Sequence, residues 1–161
     1  MRMLLPAACS ILLSTSCLAI EAGQAAPEFT LPNLHDAEVS LSEHRGKIVY
    51  VDFWASWCAS CKQSLAWMKG LNSRFGTHNL SVIAVNLDDD RASALKMIEG
   101  LQPDYEVVFD ATGRTPEDYK VEVMPSSLLI DREGRIVKVF RGFRESSKQE
   151  VEENLRTLLS H

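Results

Sequence analysis

The chain has 161 residues, 45% of them hydrophobic and 24% charged, with a net charge of −5 at pH 7. That length and apolar content suit one domain with a proper core and exclude a disordered chain. The acidic balance, with no long basic run, excludes nucleic acid as an expected partner.

Residues 1–22 read as a secretory signal. Arg2 precedes an apolar stretch from Leu4 to Ile20, and Glu, Ala and Gly follow. A short basic region, an apolar region and small residues near a cleavage point make that pattern. Cleavage after Ala19 or Ala22 fits it, and an uncleaved membrane anchor is the alternative. Cys9 and Cys17 fall inside this segment, so only Cys58 and Cys61 are expected in the mature chain. Cys17 as a lipid-modified N-terminus is a second reading; Ser14 stands where a lipoprotein signal prefers an aliphatic residue. An exported chain with two cysteines has no structural disulfide framework, so its one intrachain bridge is expected to be its chemistry.

Glu21 to Gln24 reads as a short linker. Pro27 to Lys47 carries Phe29, Leu31, Leu34, Val39 and Leu41 among turn residues, which predicts a small hairpin and then a tight turn at Arg45-Gly46-Lys47. Ile48 to Trp54 is a nearly continuous apolar run, the mark of a buried central strand. Cys58 to Phe75 is helical in pattern, with Leu65, Met68, Leu71 and Phe75 on one face and Gly76 closing it. Leu80 to Leu87 predicts a second buried strand. Strand, helix and strand at this spacing predict a parallel βαβ unit.

Asp88 to Asp90 are expected to cap a helix from Arg91 to Glu99, because anions stabilise a helix N-terminus; a metal site is the alternative. Val107 to Phe109 predicts a short strand, and Thr115 to Tyr119 a short helix with Pro116 in its first turn. Ser127 to Ile130 and Ile136 to Phe140 flank Asp131-Arg132-Glu133-Gly134, a hairpin signal. Lys148 to Leu159 predicts the last helix, with Ser147-Lys148-Gln149-Glu150 as its capping box.

The chemistry lies in Trp57-Cys58-Ala59-Ser60-Cys61, between a buried strand and a helix start. Such a pair can form and break a disulfide, and the first thiol sits where backbone N–H groups and the helix dipole favour a thiolate. Half of a zinc site and a pair of inert core cysteines are the alternatives. A structural zinc needs about four ligands, and His35, His44, His78 and His161 show no paired-ligand spacing. Spacing assigns Cys58 as the more exposed nucleophile that forms a mixed disulfide, and Cys61, one turn further, as the thiol that resolves it. Cys61 must then lose a proton in a dry place. Asp52 is a carboxylate in an otherwise apolar strand; if buried, its pKa rises, which suits a general base. The alternative is an Asp on a solvated side of the strand. Met124-Pro125 precedes the hairpin strand, where a proline is often only an edge device.

These residues resemble the thioredoxin superfamily, and most closely the exported TlpA/ResA-like thiol–disulfide oxidoreductases. The resemblance spans about residues 25–160. It is carried by Ala26-Pro27-Glu28-Phe29-Thr30-Leu31-Pro32, by Val51-Asp52-Phe53-Trp54-Ala55-Ser56-Trp57-Cys58-Ala59-Ser60-Cys61-Lys62, by Val82 to Asp88, and by Met124-Pro125-Ser126 through Gly134. It implies one α/β thioredoxin-like domain over residues 25–161, a central mixed β-sheet flanked by helices, with an N-terminal β-hairpin extension. It also implies a cis bond before Pro125, Cys58 as nucleophile, Cys61 as resolving thiol and Asp52 as the buried acid. Trp57, Met124 and Pro125 are the expected substrate contacts. The setting implied is the bacterial periplasm, soluble or tethered, with a membrane thiol-electron transporter as donor and protein disulfides as substrates. No cofactor and no metal are expected, and the protein is expected to act as a monomer.

Four positions depart from the family pattern. Ser60 replaces the usual Pro before the second cysteine, in the dipeptide that tunes redox potential. Ala66 stands where a helix-kinking Pro is common, which predicts a straighter first helix. Ala84 replaces a Lys that cytoplasmic thioredoxin places near the buried Asp, so Asp52 is expected to be more readily neutral. Ser126 follows the Pro, where the cytochrome c maturation branch has a Glu. The leading expectation is a disulfide reductase. A disulfide oxidant or isomerase of folding exported proteins is the alternative, and a peptide-binding module of the same fold is another. A peroxidase would want Ser or Thr at position 55, which is Ala.

Overall fold

The computed structural model describes residues 20–75 and 79–160. The expected signal segment therefore lies largely outside the described residues, as do Cys9, Cys17, Gly76, His78 and His161. A two-stranded antiparallel sheet, β1 (Thr30–Pro32) and β2 (Glu38–Ser40), is followed by a 3₁₀ turn at Leu41–His44. The β1–β2 turn closes on the Asn33 side chain, which accepts from His35 N (2.9 Å) and Ala37 N (3.1 Å).

The main sheet has five strands in the order β5-β4-β3-β6-β7. They are β3 (Ile48–Trp54), β4 (Leu80–Asn86), β5 (Glu106–Phe109), β6 (Ser126–Ile130) and β7 (Ile136–Arg141). β3 runs parallel to β4 and antiparallel to β6; β4 and β5 are parallel, β6 and β7 antiparallel. The helices are α1 (Ala59–Met68), α2 (Leu71–Phe75), α3 (Arg91–Glu99), α4 (Arg114–Asp118) and α5 (Glu145–Leu159). This is the expected mixed sheet flanked by helices, with the hairpin in front.

All seven residues of β3 are buried. Strand side chains alternate between faces, and the core divides accordingly. Ile48, Tyr50 and Trp54 pack with Leu65 and Met68 of α1 and Val151 and Leu155 of α5. Val49, Val51 and Phe53 pack with Phe29, Leu31, Val39 and Leu41 of the hairpin segment. Asp52 has the parity of Tyr50 and Trp54, so it faces the layer that carries α1.

The structure corrects four expectations. The helix predicted over Cys58–Phe75 is two helices, because Gly70 takes the left-handed conformation (φ 86°) and its N–H donates to the Asp104 carboxylate (3.1 Å). The last helix starts at Glu145 with Arg144 as N-cap, so Ser147 lies in its first turn and makes no capping box. Its entry is set earlier by the turn at Gly142 (φ 79°). Of the acidic triplet, only Asp90 caps α3, accepting from Ala92 N and Ser93 N. Finally, the linker at Glu21–Gln24 is strapped to the β6–β7 hairpin: Gly23 N donates to Ile136 O (2.7 Å) and Ile136 N to Gln24 O (2.8 Å).

Candidate active site

The site forms at the end of β3, where the chain leaves the sheet. Cys58 is the N-cap of α1, with extended backbone (φ −93°, ψ 102°), and its sulfur accepts from Cys61 N at 3.3 Å. The Ser60 hydroxyl lies 3.5 Å from the same sulfur. Cys58 and Cys61 are joined in a disulfide, with Cα atoms 5.3 Å apart. Cys58 keeps 7% of its surface exposed and Cys61 none. The asymmetry follows from helix geometry. Cys61, Ser64, Leu65 and Met68 are the buried positions of α1, spaced i, i+3, i+4 and i+7 along one face. Cys58 precedes that face at the open end of the helix.

Asp52 is 1% exposed, so the solvated alternative is excluded. Its β4 register partner is Ala84, which offers no cation, and its β6 partner is Ser127. Burial pushes its carboxyl up to about 8, while a hydrogen bond from Ser64 pulls the other way. Ser64 Oγ lies 3.1 Å from Asp52 Oδ2 and 3.0 Å from Cys61 O. A carboxyl in this state exchanges protons near neutral pH. Tyr50 and Tyr105 complete this dry region. Burial, with Asp52 nearby, raises both phenols above their ordinary range, and the Tyr105 hydroxyl donates to Leu65 O (3.0 Å).

A clamp holds the loop that presents Cys58. The buried Asp88 carboxylate accepts from Ser56 N (2.8 Å), Ser56 Oγ (2.8 Å) and Asn86 Nδ2 (2.7 Å). Leu87 N donates to Trp54 O (2.9 Å), so the ends of β3 and β4 are locked together. Sequence reasoning missed Ser64 and gave Asp88 another role, capping α3. Ser64 had a legible signal, a polar residue three positions after Cys61 on the same helical face. Asp88 had none, since its partner Ser56 is 32 residues away.

The Met124–Pro125 bond is cis, as the resemblance implies. Pro125 is buried and its carbonyl accepts from Gly142 N (2.8 Å). Met124 is half-buried and packs against both core layers. Its own N–H and C=O have no hydrogen-bond partner among the described residues. Trp57 is 71% exposed and Val123 46%, so two large apolar side chains stand in solvent, one beside each motif. Among the described residues no group of three or more His, Cys, Asp or Glu side chains could hold a metal ion, and no helix is long and apolar enough to cross a membrane. His44 instead meets the Ser81 hydroxyl through Nδ1 (2.8 Å).

A disulfide between an N-cap cysteine and a buried helix cysteine, with a buried carboxyl linked through Ser64 to the Cys61 peptide and a cis-proline leading into the strand paired with β3, defines a thiol–disulfide oxidoreductase of thioredoxin fold. The Redoxin family model matches residues 21–159, and the chain belongs to that family. Thiol-disulfide oxidoreductase ResA of Geobacillus kaustophilus is 28% identical over 144 residues, 89% of this chain and 82% of that protein. The crystal structure assigned as thiol:disulfide interchange protein DsbE from Chlorobium tepidum superposes with a TM-score of 0.83 at 38% identity, covering 88% of this chain and 99% of that one. A solution structure assigned as a protein disulfide isomerase from Bacteroides thetaiotaomicron gives 0.80 at 25% identity, over 88% and 92%.

Proposed function

We propose that the protein is an exported, periplasmic disulfide reductase that acts on protein disulfides as a monomer. The Cys58 thiolate attacks one sulfur of the substrate disulfide, which breaks that bond and leaves one substrate cysteine as a departing thiolate. Asp52, as carboxylate, takes the proton of the Cys61 thiol. The Cys61 thiolate attacks Cys58 Sγ, the Cys58–Cys61 bond forms, and the second substrate cysteine leaves as thiolate. Both released thiolates take up protons. Two electrons have moved from the enzyme dithiol to the substrate disulfide. A membrane thiol-electron transporter, itself a dithiol, reverses the change in the enzyme.

The residues have the following roles in this reading. Cys58 is the nucleophile, Cys61 the resolving thiol and Asp52 the base. The open N–H and C=O of Met124, beside the cis Pro125, would pair with an extended substrate strand. Trp57 supplies exposed apolar surface next to the attacking sulfur. The N-terminal pattern of residues 1–22 supports export, either as a soluble mature protein or one tethered through that segment.

One observation carries the reducing direction. Among the described residues the polar contacts of Cys58 Sγ are one backbone N–H and the Ser60 hydroxyl. Strong oxidants of this class owe their potential to a stabilised reduced form; in this reading a Cys58 thiolate would have these two donors and the N-terminal end of α1, a modest stabilisation. The test is the Cys58–Cys61 redox potential in dithiothreitol or glutathione buffers, read by tryptophan fluorescence. A value near or below about −250 mV is expected for a reductase. A value between about −180 and −120 mV would overturn that direction and assign disulfide formation or shuffling, the work its isomerase-named structural neighbour suggests.

A further inference from the structure

We propose that the Ser64 hydroxyl is a positioning group that couples the protonation of Asp52 to the peptide carrying Cys61, by donating its one proton either to the Asp52 carboxylate or to the Cys61 carbonyl. A hydroxyl has a single donor hydrogen and two acceptor lone pairs. Ser64 Oγ stands between two acceptors at nearly equal distance, Asp52 Oδ2 at 3.1 Å and Cys61 O at 3.0 Å. It satisfies only one of them fully at a time.

The state of Asp52 decides which. When Asp52 is ionised, the hydroxyl turns to the carboxylate, since a hydrogen bond to a charged acceptor is about twice as strong. When Asp52 is protonated it no longer draws the hydroxyl proton so strongly, and Ser64 turns to donate to Cys61 O. Each proton that reaches Asp52 therefore moves one hydrogen bond onto the Cys61 peptide. This part rests on the reading that Asp52 takes the proton of Cys61.

Among the described residues Ser64 is the sole hydrogen-bond donor to the Asp52 carboxylate. Around the carboxyl stand Tyr50 on its own strand, Ala84 on β4, Ser127 on β6, Cys61 on α1 and Tyr105 before β5. None of these is a cation. The Tyr105 hydroxyl is committed to Leu65 O, and Ser127 faces the Tyr50 phenol. Burial and the Ser64 bond thus oppose each other without a third partner.

The experiment titrates the Asp52 carboxyl by carbon NMR in oxidised protein with labelled aspartate, its signal identified by loss in Asp52→Asn. Ser64→Ala removes the hydroxyl at a helix-interior site where Ala is the best helix former. The midpoint is expected to rise by about one pH unit, because the ionised form loses a charge-assisted hydrogen bond and the protonated form only a neutral one of about half its strength. In the same variant, resolution of a glutathione mixed disulfide on Cys58 should slow about tenfold at pH 7, because about tenfold less Asp52 is ionised. Ser64→Thr, which keeps a hydroxyl, should restore both. An unchanged midpoint in Ser64→Ala would overturn the coupling. Resolution at the normal rate in Asp52→Asn would sink the base role instead, and the titration would still decide whether Ser64 and Asp52 are coupled.

Discussion

Asp52 makes the protein less stable as the pH rises, and Asp52→Asn should remove that dependence. Burial pushes the carboxyl up to about 8 in the folded protein, against an ordinary value of 3.8 in the unfolded chain. Its folded pKa is raised, so its favourable state is the protonated one. That state is fully available below about pH 4. Between the two pKa values the unfolded chain has lost the proton and the folded protein keeps it, so stability falls by about 1.4 kcal/mol per pH unit. From pH 4 to pH 7 this amounts to about 4 kcal/mol, a large part of the roughly 5–15 kcal/mol that holds a domain together. Asn keeps the shape without the charge, and its amide can donate to Ser64 Oγ. Oxidised Asp52→Asn should therefore match the parent at pH 4 and exceed it by about 4 kcal/mol at pH 7. Urea unfolding across that range measures the difference, in which the titration of other groups cancels. A difference that stays constant from pH 4 to pH 8 would refute a buried, protonated Asp52.

Cys58→Ser should abolish turnover of an insulin-type disulfide substrate, and Cys61→Ser should accumulate a mixed disulfide at Cys58 that mass spectrometry detects. Asp88→Ala leaves Ser56 N–H and the Asn86 amide without their carboxylate. It should cost about 2 kcal/mol and alter the alkylation rate of reduced Cys58; parent-like values in both would show that the clamp does not hold the loop. Leu65→Ala empties a fully buried site between β3 and α1. A loss of about 3 kcal/mol in urea unfolding is expected, and a loss under about 1 kcal/mol would mean that the layer closes around the gap.

Elements legible in the chain were those set by local pattern. The apolar run of Ile48–Trp54, the βαβ spacing to Leu80 and the Asp131–Gly134 turn all form where expected, because a period of two or 3.6 and a turn residue act over a few positions. The helix boundaries at Gly70 and Glu145 were not legible. A glycine at position 70 stops the helix because Asp104, 34 residues away, takes its N–H. Ser147 resembles a cap in the chain, yet the turn at Gly142 starts the helix before it.

By itself the sequence determined the redox pair and its asymmetry, since three residues at a helix start put one cysteine at the open end and the other one turn inside. It also determined that a carboxylate lies in a central strand, and the period of two decides which face it takes once that strand is buried. Only the tertiary structure decided what surrounds that carboxylate. Ala84 arrives from β4, Tyr105 from the loop before β5 and Ser64 from α1, and their packing both raises the Asp52 carboxyl and supplies the hydrogen bond from Ser64. Proton affinity in a dry core depends on every neighbour within a few ångströms, and those neighbours meet only when the chain has folded.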